Sequence, residues 1–345
     1  MEIFLLDKTI IVVIVFLITL LIAMYSTWAE RKVAGFIQDR IGPNRAGIFG
    51  ILQPLADGVK MFMKEEIIPT HADKALFVMA PGISMLTALL TSSVIPWGSY
   101  LEINGRQVML QITDINIGML YIFAVVSTGV YGIMIGGWAS NNKYSLMGSL
   151  RASSQMISYE LAMGLALISV IMMTGTLSLK AIVEYQAING WNIIYQPLGF
   201  LIFFICALAE CNRTPFDLPE SEAELVGGYH TEYSSMKLGL FLFAEYVNMF
   251  ISGAIMSALF FGGYNLPFHD KLATIFSHNT LALLGTASFM LKTFLFIFIF
   301  MWIRWTVPRF RYDQLMHLGW RILLPLAMFN VVATGTVILI SILWK

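Results

Sequence analysis

The chain has 345 residues, of which 58% are hydrophobic and only 12% charged, and its 21 basic and 21 acidic side chains cancel to a formal net charge of zero. A soluble domain of this length would carry a more charged surface, so the composition implies one integral membrane domain, residues 1–345, of the polytopic all-α class. The balanced charge leaves no general basic face for nucleic acid, and the two cysteines, Cys206 and Cys211, fit neither a disulfide framework nor a zinc spacing.

The first apolar run is Thr9–Ala29. The segment before it, MEIFLLDK, is too short for a signal n-region, so the run is expected to stay as a helix. The loop that follows, residues 30–75, places Ile51, Leu52, Leu55, Val59, Phe62 and Met63 on one helical face and Gln53, Asp57, Lys60 and Lys64 on the other. That pattern predicts an amphipathic helix at the membrane interface, introduced by the turn at Gly42–Asn44. A surface anchor is the plain reading of such a helix. A roof over an opening at lipid level is the functional one, favoured by Glu30, Arg31, Asp39 and Arg40 at the same level.

Seven further runs follow: Leu76–Trp97, Ile117–Trp138, Met156–Thr174, Ile193–Ala209, Leu238–Gly263, Leu281–Ile303 and Ile322–Trp344. Each is close to the roughly 20 residues that a bilayer core requires, the fifth of the eight being the shortest. Loops alternate in charge, with fifteen Lys and Arg on one side against five on the other. This predicts that residues 30–75, 139–155, 210–237 and 304–321 are cytoplasmic and that both termini are periplasmic.

Between the fifth and sixth runs, AECNRTPFDLPESEAELVGGYHTEYS carries Glu210, Asp217, Glu220, Glu222, Glu224 and Glu232 against one cation, Arg213. A solvated charge run would not need Phe216, Leu218, Leu225 or Val226, so the loop is expected to fold back on the protein. Three more ionisable residues lie within spans: Glu160, Glu245 and, midway along the seventh, Lys292. Charges at that depth cost a few kcal/mol and face the bundle interior. A structural ion pair such as Lys292 with Glu245 is one reading. The other is a chain of crowded carboxylates, Glu160, Glu210, Glu220, Glu222 and Glu245, running toward Lys292, whose coupled titrations take up and release protons.

Three blocks are specific: ERKVAGFIQDRIGPNRAGIFGILQPLADGVKMFMKE, RASSQMISYELAMG and AECNRTPFDLPESEAELVGGYHTEYSSMKLGLFLFAEYVNM. In this order they closely resemble the membrane subunit of respiratory complex I known as subunit 1 in mitochondria and as the H subunit in bacteria, over nearly the whole chain. The resemblance implies a place at the heel of that enzyme, where the chain forms much of the quinone chamber and has no activity alone. It implies peripheral-arm quinone-site subunits and small and antiporter-like membrane subunits as partners. Quinone is then the bound substrate, and flavin and iron–sulfur clusters belong to other subunits. Quinone-chamber positions carry over to Glu30, Arg31, Arg40, Asp57, Arg213, Asp217, Glu220, Glu222 and Glu224, and the acidic path to Glu160, Glu210, Glu220, Glu222 and Glu245. The implied location is a bacterial inner membrane, or alternatively an organelle or thylakoid membrane. A membrane subunit of an energy-converting hydrogenase shares the PFD-containing acidic loop, but GPNR and the long amphipathic helix favour the quinone enzyme. A self-sufficient cation transporter and a purely structural anchor are the other readings.

Overall fold

In an apolar environment each backbone N–H and C=O must find its partner within the chain, so the apolar runs become helices. The computed structural model describes residues 2–103, 105–217, 225–267, 272, 274 and 276–344. The helices are α1 (Glu2–Ile37), α2 (Gln53–Met63), α3 (Lys74–Thr91), α4 (Gly118–Ala139), α5 (Lys143–Thr174), α6 (Leu179–Asn189), the single turn α7 (Asn192–Tyr195), α8 (Pro197–Glu210), α9 (Ser235–Phe260), α10 (His278–Thr306), α11 (Tyr312–His317) and α12 (Leu324–Leu343). A π-helical turn, Leu318–Leu323, joins the last two into one continuous stretch.

Seven of these helical stretches are long and apolar enough to cross a membrane, as expected of a multi-pass membrane protein. The eighth expected run is α8, which has 14 residues. Pro197 stands in its first turn, where the missing N–H costs nothing, and the short helix α7 precedes it. The runs also extend beyond their apolar parts. α1 continues to Ile37 and carries Glu30 and Arg31 on its last turns, and α5 begins at Lys143, with the Asn142 side chain accepting from the Tyr144 N–H.

Among the described residues one hairpin departs from the helical pattern. Tyr100–Ile103 and Arg106–Met109 form an antiparallel hairpin, β1 and β2, with Tyr100 opposite Met109 and Ile103 opposite Arg106. The Asn104-Gly105 pair between two alternating segments is its signal in the sequence.

The bundle is ordered by its contacts. α1 packs on α9 and α10, α9 on α3, α3 on α4, α4 on α5, and α5 on α8 and α12. The main core runs between α5, α8, α9 and α10, with Phe250, Phe260, Phe289 and Phe300 fully enclosed. A second core, around Phe77, Tyr233 and Phe241, holds the end of the acidic loop, and the Phe77 and Tyr233 rings stack at 4.0 Å. The described part of that loop does fold back, with Phe216 and Leu225 buried, although Val226 is exposed. Its Gly228 rests against Gly148 of α5, where a Cβ would stand 2.6 Å from the Gly228 Cα. Leu218, Glu220, Glu222 and Glu224 lie outside the described residues.

Candidate functional site: two cavities meeting at a carboxylate

α2 is amphipathic as expected, and its apolar residues Leu55, Val59 and Met63 are exposed on the side away from the bundle, while Phe62 stands at the rim of the space beneath. Its polar side turns inward. Arg31 Nη1 donates to Asp57 Oδ2 at 2.8 Å, Lys60 Nζ lies 3.3 Å from Oδ1, and the Gln53 amide also donates to Oδ1. Partial burial works to raise the Asp57 carboxyl, but Arg31, Lys60 and Gln53 outweigh it and hold it below the usual carboxylate range.

Beneath α2 lies a cavity of about 400 Å³ walled by α1, α2, α9 and α10. Met24, Met61, Phe62, Leu240 and Phe243 give it apolar walls, and Arg31, Asp57, Arg213, Glu245 and Arg304 supply its polar groups. It reaches the surface at Phe62, which is 71% exposed. The size and the lining fit a small-molecule site, apolar with a few convergent polar groups.

The polar end is built on Glu30. Its two carboxylate oxygens face two arginines: Oε2 accepts from Arg213 Nη1 at 3.1 Å, and Oε1 forms an ion pair with Arg304 Nη1 at 2.5 Å. The Arg213 guanidinium also lies over the Tyr246 ring, 4.1 Å from its centroid. Burial works against its charge, but Glu30 and then Tyr246 and Glu245 overcome this and keep Arg213 protonated. Arg213 Nε and Nη2 are buried and make no hydrogen bond among the described residues.

A second, smaller cavity of about 30 Å³ lies deeper, between α3, α4, α5, α8 and α9. Glu210, Glu245, Asn212, Asn248, Ser84, Thr87 and Thr91 contribute its polar lining. The Thr87 and Thr91 hydroxyls donate to backbone carbonyls of their own helix. Its volume accommodates one or two waters. Glu245 lines both cavities and is the residue they share. The Tyr229 hydroxyl donates to Glu245 Oε1 at 3.3 Å. Next to Tyr229, His230 lies against its ring at a tilt of 44°, 3.8 Å between centroids, and burial pushes its imidazole down to about 3, so it is neutral at pH 7.

The structure thus brings Arg31, Asp57 and Arg213 into one cavity, with Glu30 behind them and Glu245 at its inner wall. Glu210 lies in the deeper cavity beside Glu245. Glu160 is on α5, where it accepts from the Ser127 hydroxyl of α4, and does not line either cavity. Arg40 is exposed and donates to its neighbour Gln38, away from the cavity. Asp217 is buried and pairs with Arg309 at 3.0 Å.

Lys292 departs most from expectation. Its ammonium donates to the carbonyls of Phe261, Gly263 and Asn265 at 2.8, 2.7 and 3.3 Å. These follow the C-terminal end of α9, whereas Glu245 lies fifteen residues before Phe260, roughly 22 Å along the same helix. Lys292 is therefore not the partner of Glu245.

Two residues of the site, Arg304 and Tyr246, carry no signal in the sequence. Arg304 reads there as one more loop cation beyond the seventh run, yet it occupies the last turn of α10 and faces Glu30.

The family model described as NADH dehydrogenase matches residues 9–335. The NADH-quinone oxidoreductase H subunit 1 of Cytophaga hutchinsonii is 69% identical over 337 residues, 98% of each chain. The H subunit of the Flavobacterium johnsoniae enzyme is 62% identical over 97% of this chain and 96% of its own, and subunit 8 of the Rhodothermus marinus enzyme 51% over 91% and 92%.

Proposed function

The chain belongs to the NADH dehydrogenase family of membrane subunits, together with these relatives, and from that premise we propose that its outer cavity is the membrane part of a quinone chamber in NADH-quinone oxidoreductase. As a member of this family it acts only within the enzyme complex, in a bacterial membrane. The observation that supports the reading is an apolar cavity open at Phe62 that ends in the polar groups Arg31, Asp57, Arg213 and Arg304. An isoprenoid tail suits the Met and Phe walls. A quinone carbonyl is an acceptor, and the arginines that line the polar end of the cavity, Arg31, Arg213 and Arg304, are donors.

Reduction of a quinone consumes two protons, so the head group needs a proton source. Glu245 touches the outer cavity on one side and the polar pocket with Glu210 on the other. We read it as the first carboxylate of an acidic path toward Glu210 and Glu160 and so into the membrane arm. The peripheral-arm quinone-site subunits would close the chamber from outside, and the small and antiporter-like membrane subunits would continue the path. Arg40, Asp217, Glu220, Glu222 and Glu224 belong to this proposal through the family resemblance, as residues near the junction with the peripheral arm. We also read α8, lengthened by α7, as an eighth crossing, with both termini in the periplasm.

The test is Arg213→Lys in the assembled complex. Lysine keeps the charge for Glu30 but lacks the planar fork. Quinone reductase activity should fall about ten-fold or more, while NADH oxidation by a water-soluble artificial acceptor persists. Equal loss of both activities would assign Arg213 to assembly and remove the quinone reading.

A further inference from the structure

The segment that ends the acidic loop also holds the roof of the cavity. α2 leaves its last turn in an extended conformation, with Lys64 at φ −74° and ψ 137°, and not through a left-handed glycine. Its final carbonyls therefore need a donor from elsewhere. Ser235, at the start of α9, supplies one: its Oγ lies 3.0 Å from the Met61 carbonyl oxygen and 2.9 Å from that of Lys64. The preceding Ser234 Oγ accepts from the Ile67 N–H at 3.1 Å. Lys237, two residues after Ser235, pairs with Glu66, and its ammonium stands 5.4 Å from the centre of the Phe77 ring.

Ser235 holds this position with φ +55°, a conformation natural for glycine and unfavourable for serine. A turn alone would be better served by glycine. What serine adds is the hydroxyl, and the hydroxyl is on the end of α2. The two elements it joins are opposite walls of the same space: Lys60, Met61 and Phe62 come from α2, and Met236, Gly239 and Leu240 from α9. The other attachments of this roof, Arg31 to Asp57 and Trp28 Nε1 to the Phe49 carbonyl, come from α1 and hold its middle and its approach.

We propose that Ser235 is a positioning residue for the quinone reaction: its hydroxyl caps the C-terminus of α2 from outside the helix and, with Ser234, fixes the width of the cavity between roof and wall. The inference rests on the quinone-chamber reading. It also ties the roof to the acidic loop, because Tyr229, which donates to Glu245, lies only six residues earlier on the same segment.

Three substitutions in the assembled complex separate the hydroxyl from the backbone strain. Ser235→Ala loses the hydroxyl and keeps the strain. Ser235→Gly loses the hydroxyl and relieves the strain. Ser235→Asn tolerates a positive φ and carries amide donors. The KM for a short-chain quinone should rise about five-fold in both Ala and Gly variants, the ratio equivalent to one net hydrogen bond, with kcat changed less than about two-fold, and Asn should recover most of the loss. A glycine variant with wild-type KM beside an impaired alanine variant would overturn the proposal, since strain and not the cap would then matter. Wild-type KM in both, with the roof held as in the wild type by the second readout, would overturn it as well. A second readout is the distance between spin labels at Met63→Cys and Tyr144→Cys in the quinone-free complex. A broader distribution in both Ala and Gly variants with unchanged KM supports the cap and removes the quinone reading of the cavity. An unchanged distribution removes the cap.

Discussion

Glu30 sets one buried carboxylate against two guanidinium groups, and it shows what a single charge does here. Arg213 is 4% exposed and Arg304 is partly buried, so neither can recover its hydration if Glu30 loses its charge. Removing one member of a buried ion pair costs about 3–5 kcal/mol, because the remaining charge is stranded. Glu30→Gln should therefore lower the thermal stability of the assembled complex, by about 3 kcal/mol locally, and should depress quinone reductase activity beyond the loss of complex. Glu30→Asp keeps the charge at a shorter reach and should recover part of both. Thermal unfolding and activity per assembled complex check this, and unchanged stability in Glu30→Gln would show that the two arginines have other partners. Part of this triad was legible in the sequence. Glu30 and Arg213 stand in distinctive blocks beside glycine, proline and other charges. Arg304 follows an apolar run like any flanking cation, and nothing local records that α10 ends beside α1.

At the scale of an element, Lys292 corrects an inference that sequence makes natural. A lysine in the middle of an apolar run invites a carboxylate partner, and Glu245 is the obvious one. Helix termini offer another partner, the unpaired carbonyls and the negative end of the dipole. α9 ends at Phe260, and Gly262 and Gly263, at φ +71° and +52°, turn the chain so that three carbonyls converge on the ammonium. Periodicity shows which face of α10 carries Lys292. It does not show at what height the end of α9 will lie, and that height decides the partner. The structure makes a distinct prediction. Lys292→Met should destabilise assembly by about 2 kcal/mol, the loss of charged hydrogen bonds to the carbonyls. Adding Glu245→Gln should not restore it, given the roughly 22 Å between the two sites. Assembly yield and melting temperature of the single and double variants decide the matter, and recovery in the double variant would reinstate the ion pair.

At the scale of the whole molecule, hydropathy located each of the seven long apolar helices to within its apolar part, because satisfaction of the backbone in lipid leaves few alternatives. It was less informative where helices continue into polar sequence, as α1 and α5 do, and where a two-stranded hairpin interrupts the pattern. The count of crossings turns on α8. Seven long helices alone would put the two termini on opposite sides, and an eighth crossing returns them to the same side. With 14 residues, α8 spans roughly 21 Å, short of the roughly 30 Å of a hydrocarbon core unless α7 and the loop ends complete it. The charge pattern argues for the crossing, because Arg213 and Lys237 follow α8 while Lys180 precedes it. Single cysteines at Lys143, Asn189 and Val226, all exposed, report on each side in turn, and the native Cys206 and Cys211 are buried and should stay silent. With a membrane-impermeant maleimide, Asn189→Cys should react in intact cells, and Lys143→Cys and Val226→Cys only in inverted vesicles. Reaction of Asn189→Cys and Val226→Cys from the same side would mean that α8 enters and leaves by one face. The acidic loop would then lie opposite Lys143, and the cavity roofed by α2 could not share a membrane face with the loop that ends at Ser235. That arrangement is incompatible with the direct bonds from Ser235 to Met61 and Lys64, so the labelling result also bears on the fold itself.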